Sequence, residues 1–179
     1  LQLIIESMRK RTKLIVLVMA ALIVSGLLML RASGKPEAPV QPIAFDHWQH
    51  VTKKGGPELD CANCHAYADQ SPHATTPNAE LCMVCHAEEK ADSPEVQKLA
   101  AINARGEQPR WARVYWFERD ANVFFTHKPH TRASVACAEC HGDVAQSHRL
   151  RREVKQTMGW CMDCHVARRV SVDCYICHR

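Results

Sequence analysis

Cys61-Ala62-Asn63-Cys64-His65, Cys82-Met83-Val84-Cys85-His86, Cys137-Ala138-Glu139-Cys140-His141, Cys161-Met162-Asp163-Cys164-His165 and Cys174-Tyr175-Ile176-Cys177-His178 together use all ten cysteines of a 179-residue chain. Each stretch is Cys-x-x-Cys-His. Two thiols at this spacing add across the two vinyl groups of one haem, and the adjacent imidazole is delivered to the iron from one face. Zinc sites and thioredoxin-like centres also use Cys-x-x-Cys, but zinc knuckles combine the pairs two by two and leave one of five stranded. Neither alternative asks for histidine after every pair. The motifs read as attachment sites for five covalently bound haem c, with His65, His86, His141, His165 and His178 as proximal iron ligands.

The rest of the chain is poorly equipped to build an apolar core. Much of its 46% hydrophobic fraction lies in one early run, and the ten cysteines are counted in it too. Outside that run the aliphatic stretches are short and broken by charge, so the expected fold is a haem-organised one. It should consist of short helices and irregular coil, with little or no sheet. The haem-free polypeptide should be largely unfolded.

The early run, residues 14–30, carries no charge and follows Arg9, Lys10, Arg11 and Lys13. At about 1.5 Å per residue it nearly crosses a hydrocarbon core of roughly 30 Å, with Arg31 snorkelling at the far end. A cleaved signal peptide is the competing reading, but the stretch is long for a signal core and Arg31-Ala32-Ser33-Gly34 is a weak cleavage site. Met8-Arg9-Lys10-Arg11 reads as a signal-anchor start. The basic cluster predicts the N-terminus inside and everything after Arg31 on the periplasmic face of the cytoplasmic membrane. The expected organisation is a basic N-terminus (1–13), a transmembrane anchor (14–31), a proline-containing tether (32–42), a dihaem module (43–90), a linker with one helix (91–123) and a trihaem module (124–179).

Net charge is +4, yet five of the 23 Lys and Arg and one of the 19 acids precede Ala32, leaving 18 against 18 beyond it. Haem propionates would make that part acidic, and its basic residues are better placed to pair with propionates than with nucleic acid.

Iron in haem takes two axial ligands, and the motifs supply one each. Six histidines remain: His47, His50, His73, His127, His130 and His148. Their positions expose a tandem duplication. Phe45-Asp46-His47-Trp48-Gln49-His50 precedes the first motif, and Phe125-Thr126-His127-Lys128-Pro129-His130 precedes the third. Asp69-Gln70-Ser71-Pro72-His73 and Ala145-Gln146-Ser147-His148 follow, and a motif beginning Cys-Met comes next in each copy. Phe-x-His-x-x-His sets two imidazoles one helical turn apart, where they can serve neighbouring irons. His47, His50, His127 and His130 are therefore candidate distal ligands. The fifth comes from His148, His73 or Met158, since thioether also binds haem iron.

Residues 87–123 contain no cysteine. Ser93-Pro94-Glu95 predicts a helix start and Gly106 its end. Pro109-Arg110-Trp111-Ala112-Arg113-Val114-Tyr115-Trp116-Phe117 concentrates aromatic residues and arginines, as a haem-packing or docking surface would, or a quinol pocket.

Two resemblances rest on these residues. Phe125 through His178 resembles the small trihaem class III cytochromes c, which implies distal roles for the paired histidines on different haems. In that family a third histidine precedes the second motif, where this chain has Met158. Trp111-Ala112-Arg113-Val114, Val123 through His130, Cys137 through Gly142 and Met158-Gly159-Trp160-Cys161-Met162-Asp163-Cys164-His165 look like the pentahaem cytochrome subunit of bacterial alternative complex III. The first module fits the same family. That resemblance implies a quinol:electron-acceptor oxidoreductase of the cytoplasmic membrane. Its partners would be iron-sulfur and multi-span membrane subunits and a soluble or monohaem electron acceptor. The chain itself would carry electrons by stepwise tunnelling and have no substrate site of its own. A stand-alone membrane quinol dehydrogenase feeding a periplasmic reductase is the alternative. An oxyanion reductase would require an open iron, often marked by a changed motif, and all five motifs end in histidine.

Overall fold

A computed structural model describes residues 2–32 and 37–178, which fall in two compact units, Leu1–Pro36 and Glu37–Arg179. The first unit is one helix, α1 (Gln2–Ala32). It starts before the expected anchor because the residues ahead of position 14 include good helix formers and neither glycine nor proline. Thr12 Oγ1 donates to the Met8 carbonyl at 3.0 Å inside this early part. Met8–Met29 has a mean hydropathy of 2.3 and is long and apolar enough to cross a membrane. Of the expected tether, residues 33–36 lie outside the described residues, as does the side chain of Arg31.

The second unit contains α2 (His47–Val51), α3 (Cys61–Cys64), α4 (Ala79–His86), α5 (Pro94–Ala104), α6 (His127–Arg132), α7 (Cys137–His141), α8 (Met158–Ala167) and α9 (Cys174–Cys177). Single 3-10 turns occur at Arg119–Ala121 and Val144–Gln146. Among the described residues there is no sheet, only an isolated antiparallel bridge between Val123 and His178. Short helices, coil and one N-terminal apolar helix match the architecture expected from the sequence.

Helix α5 begins and ends where its sequence signals place it. Pro94 occupies the first turn behind Ser93, and Gly106 adopts φ +66° just past the end, a conformation a side chain would strain. Val96 and Leu99 lie one turn apart on its buried face. Leu99 packs with Ile43 and Ala79, flanked by Cys82, Met83, Ile102 and Trp111. Side-chain hydrogen bonds hold this cluster: Ala44 N–H donates to Glu95 Oε2 (2.7 Å) and Ala79 N–H to Gln108 Oε1 (2.7 Å). The Gln41 amide spans both backbone groups of Ala112 at 2.8 and 2.9 Å.

The apolar core is small. Among the described residues only five hydrophobic side chains are buried, Ile43, Ala79, Val96, Leu99 and Val114, and no large side chain is fully enclosed. Tyr175 and Val84 are 82% and 77% exposed although they lie inside the Cys-x-x-Cys motifs.

The two sequence copies interlock. The loop after the first motif reaches α6 of the second copy. There the Pro72 carbonyl accepts from His127 N–H (3.2 Å), the Ala68 carbonyl from Thr131 Oγ1 (3.0 Å) and the Asp69 carbonyl from Arg132 Nε (3.2 Å). In return, the loop after the third motif reaches α2 of the first copy. Trp48 N–H donates to the Ser147 carbonyl (3.2 Å), and His148 Nδ1 lies 2.8 Å from Asp46 Oδ2. These contacts lie within the compact unit Glu37–Arg179.

Candidate haem-binding site

All five Cys-x-x-Cys motifs lie on a helical turn, in α3, α4, α7, α8 and α9. Short polar caps start three of these turns. Asn78 Oδ1 accepts from Leu81 N–H (2.9 Å), Thr157 Oγ1 from Trp160 N–H (3.2 Å) and Asp173 Oδ1 from Tyr175 N–H (3.0 Å). At α7, Glu139 reaches back to Ala136 N–H (3.2 Å). A helical turn sets both cysteines of a motif on one side of the backbone, as two thioether bonds to one ring demand.

The histidines of the Phe-x-His-x-x-His helices face histidines of the motifs. Ring centroids are 5.9 Å apart for His50 and His86, 6.3 Å for His127 and His141, and 6.1 Å for His130 and His165. Two imidazoles bound through Nε2 to one metal at about 2.0 Å each stand with ring centres about 6 Å apart. Burial, and then the charges of His65 and His50, lower the His47 pKa to about 4. Burial, with His127 and His65 nearby, also lowers the pKa of His141. Both shifts favour the neutral imidazole that binds metal.

Backbone carbonyls orient these rings. Nδ1 of His65 meets Thr75 O (2.5 Å), that of His86 meets Glu89 O (2.9 Å), that of His165 meets Ser171 O (2.7 Å) and that of His178 meets Ala121 O (3.0 Å). On the repeat helices, His50 Nδ1 meets Asp46 O, His127 Nδ1 meets Pro72 O and His130 Nδ1 meets Thr126 O, each at 2.8 Å. A carbonyl only accepts, so Nδ1 carries the proton and Nε2 keeps its lone pair for a metal. His141 is held differently: the Tyr115 ring meets it edge-on at 4.5 Å, and Tyr115 Oη donates to its carbonyl (2.7 Å).

The phenylalanine of each repeat has a role that sequence reading missed. Phe45 meets His47 edge-on (4.9 Å, 90°) and stacks on His50 (4.4 Å, 27°). Phe125 treats His127 (4.9 Å, 85°) and His130 (4.8 Å, 31°) in the same way. One ring thus wedges two imidazoles in each copy. The repetition of the aromatic residue at the same offset was the available signal.

The aromatic stretch before residue 118 packs on these elements. Trp111 meets Phe45 (6.4 Å, 76°), Phe117 meets Phe125 (6.1 Å) and Arg152 lies over Trp116 (5.5 Å). Trp111 Nε1 and His47 Nδ1 are buried without a hydrogen-bond partner. Both can donate, and an added acceptor such as a propionate carboxylate would satisfy them.

The remaining candidates are dispersed. His148 tilts over Trp48 (5.1 Å) with Nδ1 on Asp46, and His73 lies on the loop that reaches α6, its N–H donating to Ser71 Oγ (3.0 Å). Met158 opens α8 and is 64% exposed. Around the last motif, Phe124 N–H donates to the Cys177 carbonyl (2.7 Å), so the end of the linker braces α9.

Among the described residues no group of three or more His, Cys, Asp or Glu side chains converges as a bare metal site would require. Imidazoles in facing pairs with thiols alongside fit a planar macrocycle better than a tetrahedral ion. No family model matches the chain, and no curated protein matches it.

Proposed function

We propose that this chain is a membrane-anchored pentahaem c-type cytochrome. In this reading it carries electrons from a quinol-oxidising membrane complex towards a periplasmic acceptor, as the haem subunit of an assembly like alternative complex III. The observation that supports it most directly is the set of facing imidazole pairs, each joining a motif histidine to a repeat histidine at the separation of two axial ligands on one iron. Haem held in this way takes up and releases single electrons at its iron.

The chain's own residues prepare such sites. The ten cysteines offer the covalent attachments, which keep a cofactor from being lost outside the cell. Carbonyls fix the imidazole tautomers, and Phe45 and Phe125 fix the ring planes. At the three sites where two imidazoles face each other, closing both axial positions would shut out small-molecule substrates, which favours electron transfer over oxyanion reduction there. The few buried apolar side chains leave an interior for macrocycles to fill. Helix α1 supplies the anchor, with its basic end inside.

The test is expression in a host with a c-type maturation system, followed by denaturing mass analysis and a pyridine haemochrome assay. Five covalently attached haems are expected, with a low-spin spectrum. Purification in mild detergent should retain a large iron-sulfur protein and multi-span membrane subunits. A chain that carries no covalent haem overturns the reading. A haem-loaded chain that is isolated alone with quinol oxidase activity replaces the assembly with the stand-alone dehydrogenase.

A further inference from the structure

The aromatic stretch ahead of residue 118 touches ligand-bearing elements of both sequence copies. At its start Trp111 meets Phe45, the ring wedged between His47 and His50. At its end Phe117 meets Phe125, which does the same for His127 and His130. Between them Tyr115 reaches the third motif directly, its ring standing edge-on to His141 at 4.5 Å and 81°. The stretch is itself held, because Gln41 bonds both backbone groups of Ala112 and the Val114 side chain is buried.

The backbone on either side of His141 is pinned as well. Tyr115 Oη donates to the His141 carbonyl (2.7 Å) and accepts from Glu153 N–H (3.1 Å), so one hydroxyl ties the end of α7 to the segment 152–156. Gln156 Nε2 donates to the Cys140 carbonyl, and Arg152, lying over Trp116, donates to Gln156 Oε1 (3.1 Å). Gly142 permits this close approach: its φ is +72°, and a Cβ there would stand 2.7 Å from Glu153 Cβ. His65, His86, His165 and His178 each have Nδ1 on a backbone carbonyl, whereas the ring of His141 is met by an aromatic side chain. It is also the imidazole that lies parallel to its partner, 5° from the plane of His127.

We propose that residues 111–117 are a strap that positions axial imidazoles in both copies, and that Tyr115 sets the ring plane of His141. This inference rests on the haem reading above. Tyr115 is a positioning residue: its ring limits rotation of the imidazole, while its hydroxyl and Gln156 hold the peptides on the two sides of His141. Trp111 and Phe117 act at one remove, through Phe45 and Phe125. The concentration of aromatic residues in this stretch thus serves the protein's own ligands rather than a quinol.

Electron paramagnetic resonance of the oxidised, haem-loaded full chain in detergent tests the strap, with the low-spin signal lost in His127→Ala marking the third site. Tyr115→Phe keeps the ring and should lower the melting temperature while leaving the g values of that signal unchanged. Tyr115→Leu removes the ring, and should move the same signal towards a larger maximum g value and leave the other low-spin signals in place. Trp111→Leu should do the converse, sparing that signal and moving the one lost in His50→Ala. A merely structural role would lower the melting temperature in all three without moving any one signal selectively, and that result overturns the proposal. Should Tyr115→Leu fail to accumulate, Gln156→Leu decides: it leaves Tyr115 in place, frees the peptide before His141, and must shift the same signal in the same direction. Covalent haem is counted in every sample. A wild-type chain that never acquires haem fails the parent reading and the strap with it, while a fully loaded Tyr115→Leu or Gln156→Leu with the wild-type spectrum fails the strap alone.

Discussion

The imidazoles of His127 and His141 lie parallel, with 5° between their planes and 6.3 Å between their centres, although one belongs to α6 and the other to α7. His50 and His86 stand at 66° and His130 and His165 at 47°. Parallel axial imidazoles reinforce each other's π donation and split the iron orbitals, whereas crossed planes tend to cancel it. The oxidised protein should therefore show at least two kinds of low-spin resonance. The site of His141 should give an ordinary rhombic signal, and that of His86 a more axial one with a larger maximum g value. Loss of the most rhombic signal in His127→Ala checks the assignment; retention of every low-spin signal in that variant would count against His127 as a ligand.

On the proposed function, His130→Ala should leave five haems attached, because attachment would reside in the cysteines, and convert one site to high spin. The visible spectrum reports this directly through the high-spin charge-transfer band. Covalent haem counted by mass should not change.

Phe45→Ala and Phe125→Ala should have similar effects, because each ring contacts two imidazoles with nearly the same geometry. Each aromatic contact contributes on the order of 1 kcal/mol beyond burial, so each substitution should cost about 2 kcal/mol in addition to the lost burial of the ring. Thermal unfolding of the haem-loaded chain measures it. Leucine in place of phenylalanine should restore part of the stability and little of the ring alignment, seen as broadened low-spin resonances.

Asp46 caps α2 through Oδ1, which accepts from Gln49 N–H at 3.2 Å, and holds His148 through Oδ2. Asp46→Ala should cost about 1–2 kcal/mol. Asp46→Asn keeps a good cap and loses the charge, and should cost less. Thr126 occupies the same position before α6 without a side-chain cap bond, so Thr126→Ala is expected to change the melting temperature least of the three.

Haem removal should have a larger effect than any of these. With five buried apolar side chains among the described residues, the chain without covalent haem should show no cooperative thermal transition in residues 37–178. Hydrogen exchange should find those amides unprotected, while α1 in detergent remains protected. A sharp transition in the haem-free protein would mean that the polypeptide has a core of its own.

Local features were legible in the sequence. Helix α5 announces itself through Ser93, Pro94 and Gly106, and the duplicated histidine pair marks α2 and α6. Helix α1 was legible by composition, though it starts earlier than its apolar run. The partners of the rings were not readable. Pro72 serves His127 and Thr75 serves His65 through their backbone carbonyls, which any residue type provides. How the loops after the first and third motifs cross to the helix of the opposite copy depends on residues far apart in sequence, and periodicity within one segment has no bearing on that.

The crossed loops bear on how this protein can be made and how it can change. Synthesis delivers the first copy before the second, yet the carbonyl that orients His127 comes from the first copy and the ring on Asp46 comes from the second. Neither copy can finish its own packing until both have emerged. A descendant that lost one copy would lose supports from the survivor as well, so a duplication that began as two repeated units has become an obligate whole.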